Sequence, residues 1–107
     1  MTTRHDSAVT VEHKVALISE FLEDSFIGCS VHVREDRHRV GQFYRIVDDT
    51  SGWIRHRIFV TGEFFDNHAE AEIVPALQNL DLVDVLRMAG VRSVIVRNQI
   101  IEIEGGA

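Results

Sequence analysis

The chain has 107 residues, of which 45% are hydrophobic and 26% charged, which is the size and composition of one soluble domain with one core. No apolar run approaches the roughly 20 residues that span a bilayer, and the polar N-terminus resembles no secretory signal, so we expect one cytoplasmic domain over residues 1–107, without membrane contact. A net charge of −6 opposes nonspecific binding to nucleic acid. Cys29 is the only cysteine, which excludes an intrachain disulfide.

Helical periodicity is clearest between Val11 and about Phe26. Apolar side chains recur there every three or four residues and form one stripe: Val11, Val15, Ile18, Leu22 and Phe26. The polar residues 1–10 are predicted to be a flexible arm that ends in a helix cap at Thr10. Gly28 is predicted to end the helix in the left-handed region.

Three runs rich in β-branched and aromatic residues follow the helix and predict strands. They are Cys29–Arg34, Arg39–Val47 and Trp53–Thr61. The polar stretches 35–38 and 48–52 between them have the composition of turns. We therefore expect the three strands to form an antiparallel meander.

The second half of the chain begins with an ambiguous segment, residues 62–79, whose pattern is compatible with either a strand or a helix. The next element is a helix predicted to be capped by Asn79 and ended by Gly90, with one apolar stripe: Leu82, Val85, Leu86 and Ala89. A hairpin of strands at 91–96 and 100–104 and a flexible tail at 105–107 follow. The predicted fold class is α+β. An N-terminal helix and a helical segment cover one face of an antiparallel sheet of about five strands.

No catalytic or cofactor motif is recognisable in the sequence. There is no glycine-rich phosphate loop, no H-E-x-x-H and no cysteine pair, so we expect no cofactor and favour a protein that is not an enzyme. The best metal candidates are His68, Glu70 and Glu72, which would share one face of an extended segment. They support a third functional hypothesis, a metal-dependent hydrolase, although a solvated polar edge explains them more simply.

The sheet face that points away from the helices has an unusual composition. Strand alternation directs one set of side chains to the core: Val31, Val33, Ile54, Ile58, Val60, Val94, Val96, Ile101 and Ile103. It directs another set outwards: His32, Arg34, Trp53, Arg55, Arg57, Phe59, Ile95 and Arg97, with either Phe43 or Tyr44. Arginine and tryptophan dominate binding hot spots, and a patch of Trp53, Phe59 and Ile95 would be large for a monomer. A solvated face whose arginine stems cover apolar neighbours is the alternative.

We therefore predict an interaction surface on this face. Its residues are Trp53, Arg55, Arg57, Phe59, His32 and Arg34. A homo-oligomer, with a dimer favoured, is the simplest occupant of such a patch, and a separate protein partner is the next. The helix glutamates are placed to meet the arginines across a symmetric interface: Glu12, Glu20 and Glu23.

Two stretches resemble the Sm-like family of small RNA-binding barrels. The first runs from Val31 through Gly41 to Asp48 and is similar to that family's first motif, with a glycine in the second strand and an aspartate after it. The second, residues 94–100, is similar to the second motif, a hydrophobic strand, an arginine turn and another strand. The resemblance implies a small barrel, a ring of subunits and RNA binding by three loop residues: Asp48, Arg97 and Asn98.

The order of elements is also similar to that of secretion chaperones, which are small acidic homodimers that bind partner polypeptides. This resemblance implies a dimer and a protein partner. Our primary hypothesis is a non-catalytic, self-associating protein-interaction module, and the alternative is an Sm-like, ring-forming RNA-binding protein.

Overall fold

The computed structural model describes residues 3–105, and the side chains of residues 11–105. Its elements are α1 (Thr3–Ser25), β1 (Cys29–Asp36), β2 (Gly41–Asp48), β3 (Ile54–Thr61), α2 (Gly62–Asp66), α3 (Glu70–Asn79), α4 (Leu82–Ala89), β4 (Ser93–Val96) and β5 (Ile101–Ile103). Within these residues no helix has the length and apolarity to cross a membrane.

The sheet has five strands in the order β1-β2-β3-β4-β5. The first three form the predicted antiparallel meander, and β4 and β5 form the predicted hairpin. Strand β4 pairs parallel with β3, because α2, α3 and α4 carry the chain back across the sheet. The α+β fold is confirmed, and the sheet is open, with β1 and β5 at its edges. The alternative of a small Sm-like barrel is therefore wrong.

Helix α1 begins at Thr3, seven residues earlier than Thr10. No glycine or proline interrupts residues 3–10, so the helix continues backwards through them and Thr10 is not its cap. Residues 1, 2, 106 and 107 of the predicted flexible ends lie outside the described residues. At the other end, Gly28 adopts a φ of 87°, as predicted for a helix-ending glycine.

Helix α1 is held against the sheet by apolar and polar contacts. Ile18 and Leu22 are fully buried in the core. The hydroxyl of Tyr44 on β2 donates to the Val15 carbonyl at 3.0 Å. The Nζ of Lys14, the only lysine, donates to the carbonyl of Phe65 at 2.7 Å and ties α1 to the end of α2.

The ambiguous segment 62–79 forms two helices, so its strand alternative is wrong. The Thr61 hydroxyl caps α2 by accepting from the amide of Phe64 at 3.3 Å. Helix α3 contains Pro75, which removes one helical hydrogen bond but lies on the exposed side. Four buried side chains from these helices pack on the sheet: Phe64, Phe65, Ile73 and Leu77. Their burial outweighs the local ambiguity of the sequence.

A β-bulge in β3 changes which side chains face outwards. Ile46 pairs with His56, but its neighbour Val47 pairs with Ile54, so Arg55 is an extra residue in the strand. Ile54 therefore lies on the outer face, and Arg55 turns to the helix side. The predicted facing of these two residues was wrong, because period-two alternation assumes a regular strand.

Candidate functional site

Three basic side chains form a row across the outer face of the sheet. His32 on β1 lies opposite Arg45 on β2, and Arg45 lies opposite Arg57 on β3. We call these three residues the basic row. Adjacent strands are about 4.8 Å apart, so the row is about 10 Å long. Like charges directly opposite each other in a sheet destabilise it, which makes the Arg45–Arg57 pair unfavourable in the isolated domain.

The arginines of this face have no acidic partners among the described side chains. Arg34, Arg45 and Arg57 have no carboxylate oxygen within 4.0 Å, whereas three arginines elsewhere, Arg39, Arg55 and Arg97, are paired. Arg55, for example, lies 3.0 Å from a carboxylate oxygen of Asp48, and Arg97 lies 3.3 Å from Glu102. The central outer face therefore presents uncompensated positive charge on a protein whose net charge is −6.

A shallow depression of about 250 Å³ lies over the basic row. The side chains that line it come from the first three strands: His32, Val33, Arg34, Phe43, Arg45, Ile54 and Arg57. Phe43 and Ile54 supply apolar surface between the charges, and the guanidinium of Arg34 lies 5.8 Å from the centre of the Phe43 ring. The depression thus combines anion-binding groups with apolar contacts.

Two apolar residues predicted to form an exposed patch here are covered. Phe59 is 3% exposed and Ile95 9%. The guanidinium of Arg39 lies 4.2 Å from the centre of the Phe59 ring, and the ring extends across Gly41, where an added Cβ would lie 2.6 Å from the Phe59 Cζ. Because its neighbours bury it, Phe59 offers little surface to a partner.

Trp53 and Arg55 also lie away from the basic row. Trp53 precedes β3 in the 49–53 turn and is 75% exposed. Arg55 lines a cleft of about 220 Å³ on the helix side, together with Phe26 and His56. Of the six predicted interaction residues, the structure brings His32, Arg34 and Arg57 together.

Arg45 and Ile54 were missed by the sequence analysis. The sequence contained a signal for Arg45, because this residue stands between the apolar Tyr44 and Ile46. Both of these are fully buried in the structure and place the residue between them outwards. Ile54 had no sequence signal, since the bulge that reverses it depends on pairing between β2 and β3.

The three residues predicted for RNA binding do not converge. Asp48 ends β2 and pairs with Cys29, whereas Val96, just before Arg97 and Asn98, is level with Val60 and Gln42. Asp48 therefore lies six residues along β2 from that level, a separation of about 20 Å.

The weak metal candidates are also separated. His68 donates through Nδ1 to the Phe64 carbonyl at 2.8 Å and packs on the Phe64 ring. Glu72 accepts from the Ala69 amide at 2.9 Å, and Glu70 lies 3.6 Å from His13. Among residues 11–105, no three His, Cys, Asp or Glu side chains are grouped to hold a metal ion. The shared face expected for these residues was wrong because the segment is helical.

The helix-side cleft contains Cys29 and His56, a pair that would resemble a nucleophile and a base. Burial, followed by the nearby Asp48 carboxylate, raises the pKa of the Cys29 thiol, so its reactive thiolate is disfavoured. Burial also lowers the pKa of His56, and its Nδ1 is engaged at 3.0 Å with the carbonyl of Gly90. This environment works against nucleophilic catalysis.

Comparison of the chain with models of known protein families, with curated proteins and with solved structures gives no significant match. Function is therefore inferred from the chemistry of these side chains.

Proposed function

We propose that this chain is a non-catalytic, self-associating protein-interaction module that binds an acidic segment of a partner polypeptide on the basic row. One observation carries the proposal: Arg45 and Arg57 face each other on an open sheet and have no carboxylate within 4.0 Å among the described residues. A ligand with carboxylates would relieve this repulsion and form charge-assisted hydrogen bonds with both guanidinium groups.

The shape of the surface favours an extended peptide. The depression crosses the first three strands, and its charged side chains lie beside the apolar surface of Phe43 and Ile54. A segment in which acidic and apolar residues alternate matches that spacing, since a strand-like peptide presents every second side chain to one face. Arginine side chains of this kind are frequent binding hot spots.

A polypeptide fits the charge of the whole molecule better than a nucleic acid does. Nucleic-acid binding depends on neutralising many phosphates, and the net charge of −6 opposes the approach of a polyanion. A short acidic segment needs only the local field of two or three arginines.

The experiment is a binding titration with a fluorescein-labelled peptide that alternates glutamate with leucine, monitored by fluorescence anisotropy. Arg57→Glu and Arg45→Glu are each expected to weaken binding at least tenfold. Arg37→Glu is the matched control, because it makes the same charge change in the exposed β1–β2 turn. Equal weakening by Arg37→Glu would show that net charge alone governs binding and would refute the assignment to the basic row.

A competing oligonucleotide separates the protein and RNA hypotheses. Single-stranded RNA is expected to bind much more weakly than the acidic peptide at the same ionic strength. If RNA binds more tightly, and Arg45→Glu removes that binding, the partner is a nucleic acid and the proposal is overturned.

A further inference from the structure

Strand β1 is an eight-residue edge strand with one free side. It pairs along its whole length with β2, and no described strand pairs with its other side. It contains no proline and no bulge in its pairing with β2, which are two of the devices that protect an edge, and its charged residues lie towards its end: Arg34, Glu35 and Asp36. Val33, on the helix side, is 39% exposed. Such an edge is a template for a further strand.

The hydrogen-bonding groups of this edge follow from one contact at its start. The Asp49 amide donates to the Gly28 carbonyl at 3.0 Å, so residues 28 and 49 form a hydrogen-bonded pair. Hydrogen-bonded and non-bonded pairs alternate along an antiparallel ladder. The amides and carbonyls that point away from β2 therefore belong to alternate residues: Cys29, Val31, Val33 and Glu35.

We propose that a second copy of this chain pairs with this edge, antiparallel, about a two-fold axis at His32. Val31 then lies opposite the partner's Val33, and Cys29 lies opposite the partner's Glu35. Residues directly opposite each other share a sheet face, so each valine covers the exposed valine of the other chain. The outward-pointing groups of each strand find partners in this register except the Cys29 amide, which already donates to the Phe26 carbonyl at 3.2 Å, so that about six backbone hydrogen bonds form.

Charge complementarity supports the same register on the outer face. Arg34 lies opposite the partner's Ser30, whose hydroxyl is hydrogen bonded to the carboxylate of Asp49 in its own chain. Arg34 has no described carboxylate within 4.0 Å in its own chain. The dimer brings each Arg34 towards the partner's Asp49, and the two-fold axis repeats this contact.

The edge explains self-association better than the outer face does. Two outer faces packed together would bring Arg45 and Arg57 against the same arginines, and Phe59 is already covered. Edge pairing instead joins two five-stranded sheets and places both basic rows end to end through His32. This inference deepens the self-association in the proposed function, and it does not depend on what the basic row binds.

The first test is the mass of the protein in solution by light scattering or sedimentation equilibrium. The wild-type chain is expected at twice its mass of 12.2 kDa. Val33→Lys places a charge against the partner's valine and is expected to yield a monomer that stays folded by circular dichroism. The control is Val91→Lys, at a position that is 59% exposed before β4, which should remain a dimer. A wild-type monomer at about 100 µM, or a dimer in Val33→Lys, overturns edge pairing.

Cysteine cross-linking tests the register in a Cys29→Ser background. At the two-fold axis, opposing α-carbons of a non-hydrogen-bonded pair are about 4.5 Å apart, within the range of a disulfide. His32→Cys should therefore cross-link almost completely under mild oxidation. In Glu35→Cys the two thiols lie about six residues apart along the ladder, near 20 Å, and should not cross-link. The reverse pattern overturns the register.

A failure of edge pairing can be distinguished from a failure of peptide binding at the basic row. Arg57→Glu should abolish binding of the acidic peptide while the mass stays that of a dimer. Loss of the dimer in Arg57→Glu would place the interface on the outer face and overturn edge pairing.

Discussion

Replacement of Arg57 by glutamate is expected to stabilise the isolated domain although it removes the binding of an acidic ligand. Arg57 lies directly opposite Arg45, and neither side chain has a described carboxylate within 4.0 Å. Arg57→Glu converts a like-charge pair into a pair of opposite charges on the same two strands. A residue kept only for stability would show the opposite behaviour.

The magnitude follows from cross-strand energetics. A favourable cross-strand pair contributes roughly 0.2–1 kcal/mol, and a like-charge pair destabilises by a similar amount, so the exchange should raise the free energy of unfolding by about 1 kcal/mol. For a domain of this size, such a change raises Tm by about 4–8 °C. The lower strand propensity of glutamate should offset only about a few tenths of a kcal/mol of this gain in stability.

The assay is urea unfolding followed by circular dichroism at low salt. The midpoint should rise with an unchanged m-value, since the fold is the same. At about 1 M NaCl the Debye length is near 3 Å, and the gain should shrink. The double variant Arg45→Glu/Arg57→Glu restores a like-charge pair and should lose the gain, which completes a double-mutant cycle. If Arg57→Glu lowers the midpoint and the double variant is no worse, the two arginines do not repel each other.

Three further changes test the packing around the site. Gly41→Ala should lower the free energy of unfolding by about 2 kcal/mol in urea titration, because the new methyl group overlaps the Phe59 ring and the backbone of β3. Tyr44→Phe should cost about 1 kcal/mol in the same assay, because it removes the hydroxyl that donates to α1. Burial lowers the pKa of His56, so the unfolded chain binds its proton more readily and stability should fall as pH drops below about 6.5. His56→Gln should reduce that fall, as measured by urea unfolding at a series of pH values.

The sequence was most informative where local pattern and tertiary packing agree. The apolar stripe of α1 predicted the burial of Ile18 and Leu22, and α4 ends at Ala89 as predicted, with Gly90 at a φ of 65° after it. The predicted cap of α4 at Asn79 was wrong, because Asn79 is the last residue of α3 and α4 begins at Leu82. In these segments the helical period, the end signals and the buried face all lead to the same structure.

The sequence was least informative where a distant contact decides the local structure. Residues 62–79 are helical because Phe64 and Leu77 are buried on the sheet, which no local period records. The bulge at Arg55 belongs likewise to the pairing of β2 with β3, two segments that a local period does not relate. Because of this one-residue bulge, Ile54 lies on the outer face where Arg55 was predicted.

On the outer face, the apolar side chain of Phe59 is covered by a neighbour, whereas the charges of the basic row are unpaired among the described side chains. This difference determines which interaction should dominate binding. Phe59 is covered by the guanidinium of Arg39, which is itself near the carboxylates of Asp36 and Glu104. The charges of Arg45 and Arg57 have no such cover. Because Phe59 and Ile95 are covered within the chain, Phe43 and Ile54 supply most of the apolar surface offered to a partner, and we expect affinity to come mainly from the charge of the arginines. Peptide binding should therefore weaken steeply as salt is raised from about 0.05 M to 0.5 M, since screening is strong at exposed sites. Binding that resists salt would indicate an apolar interface and would contradict the basic row as its source.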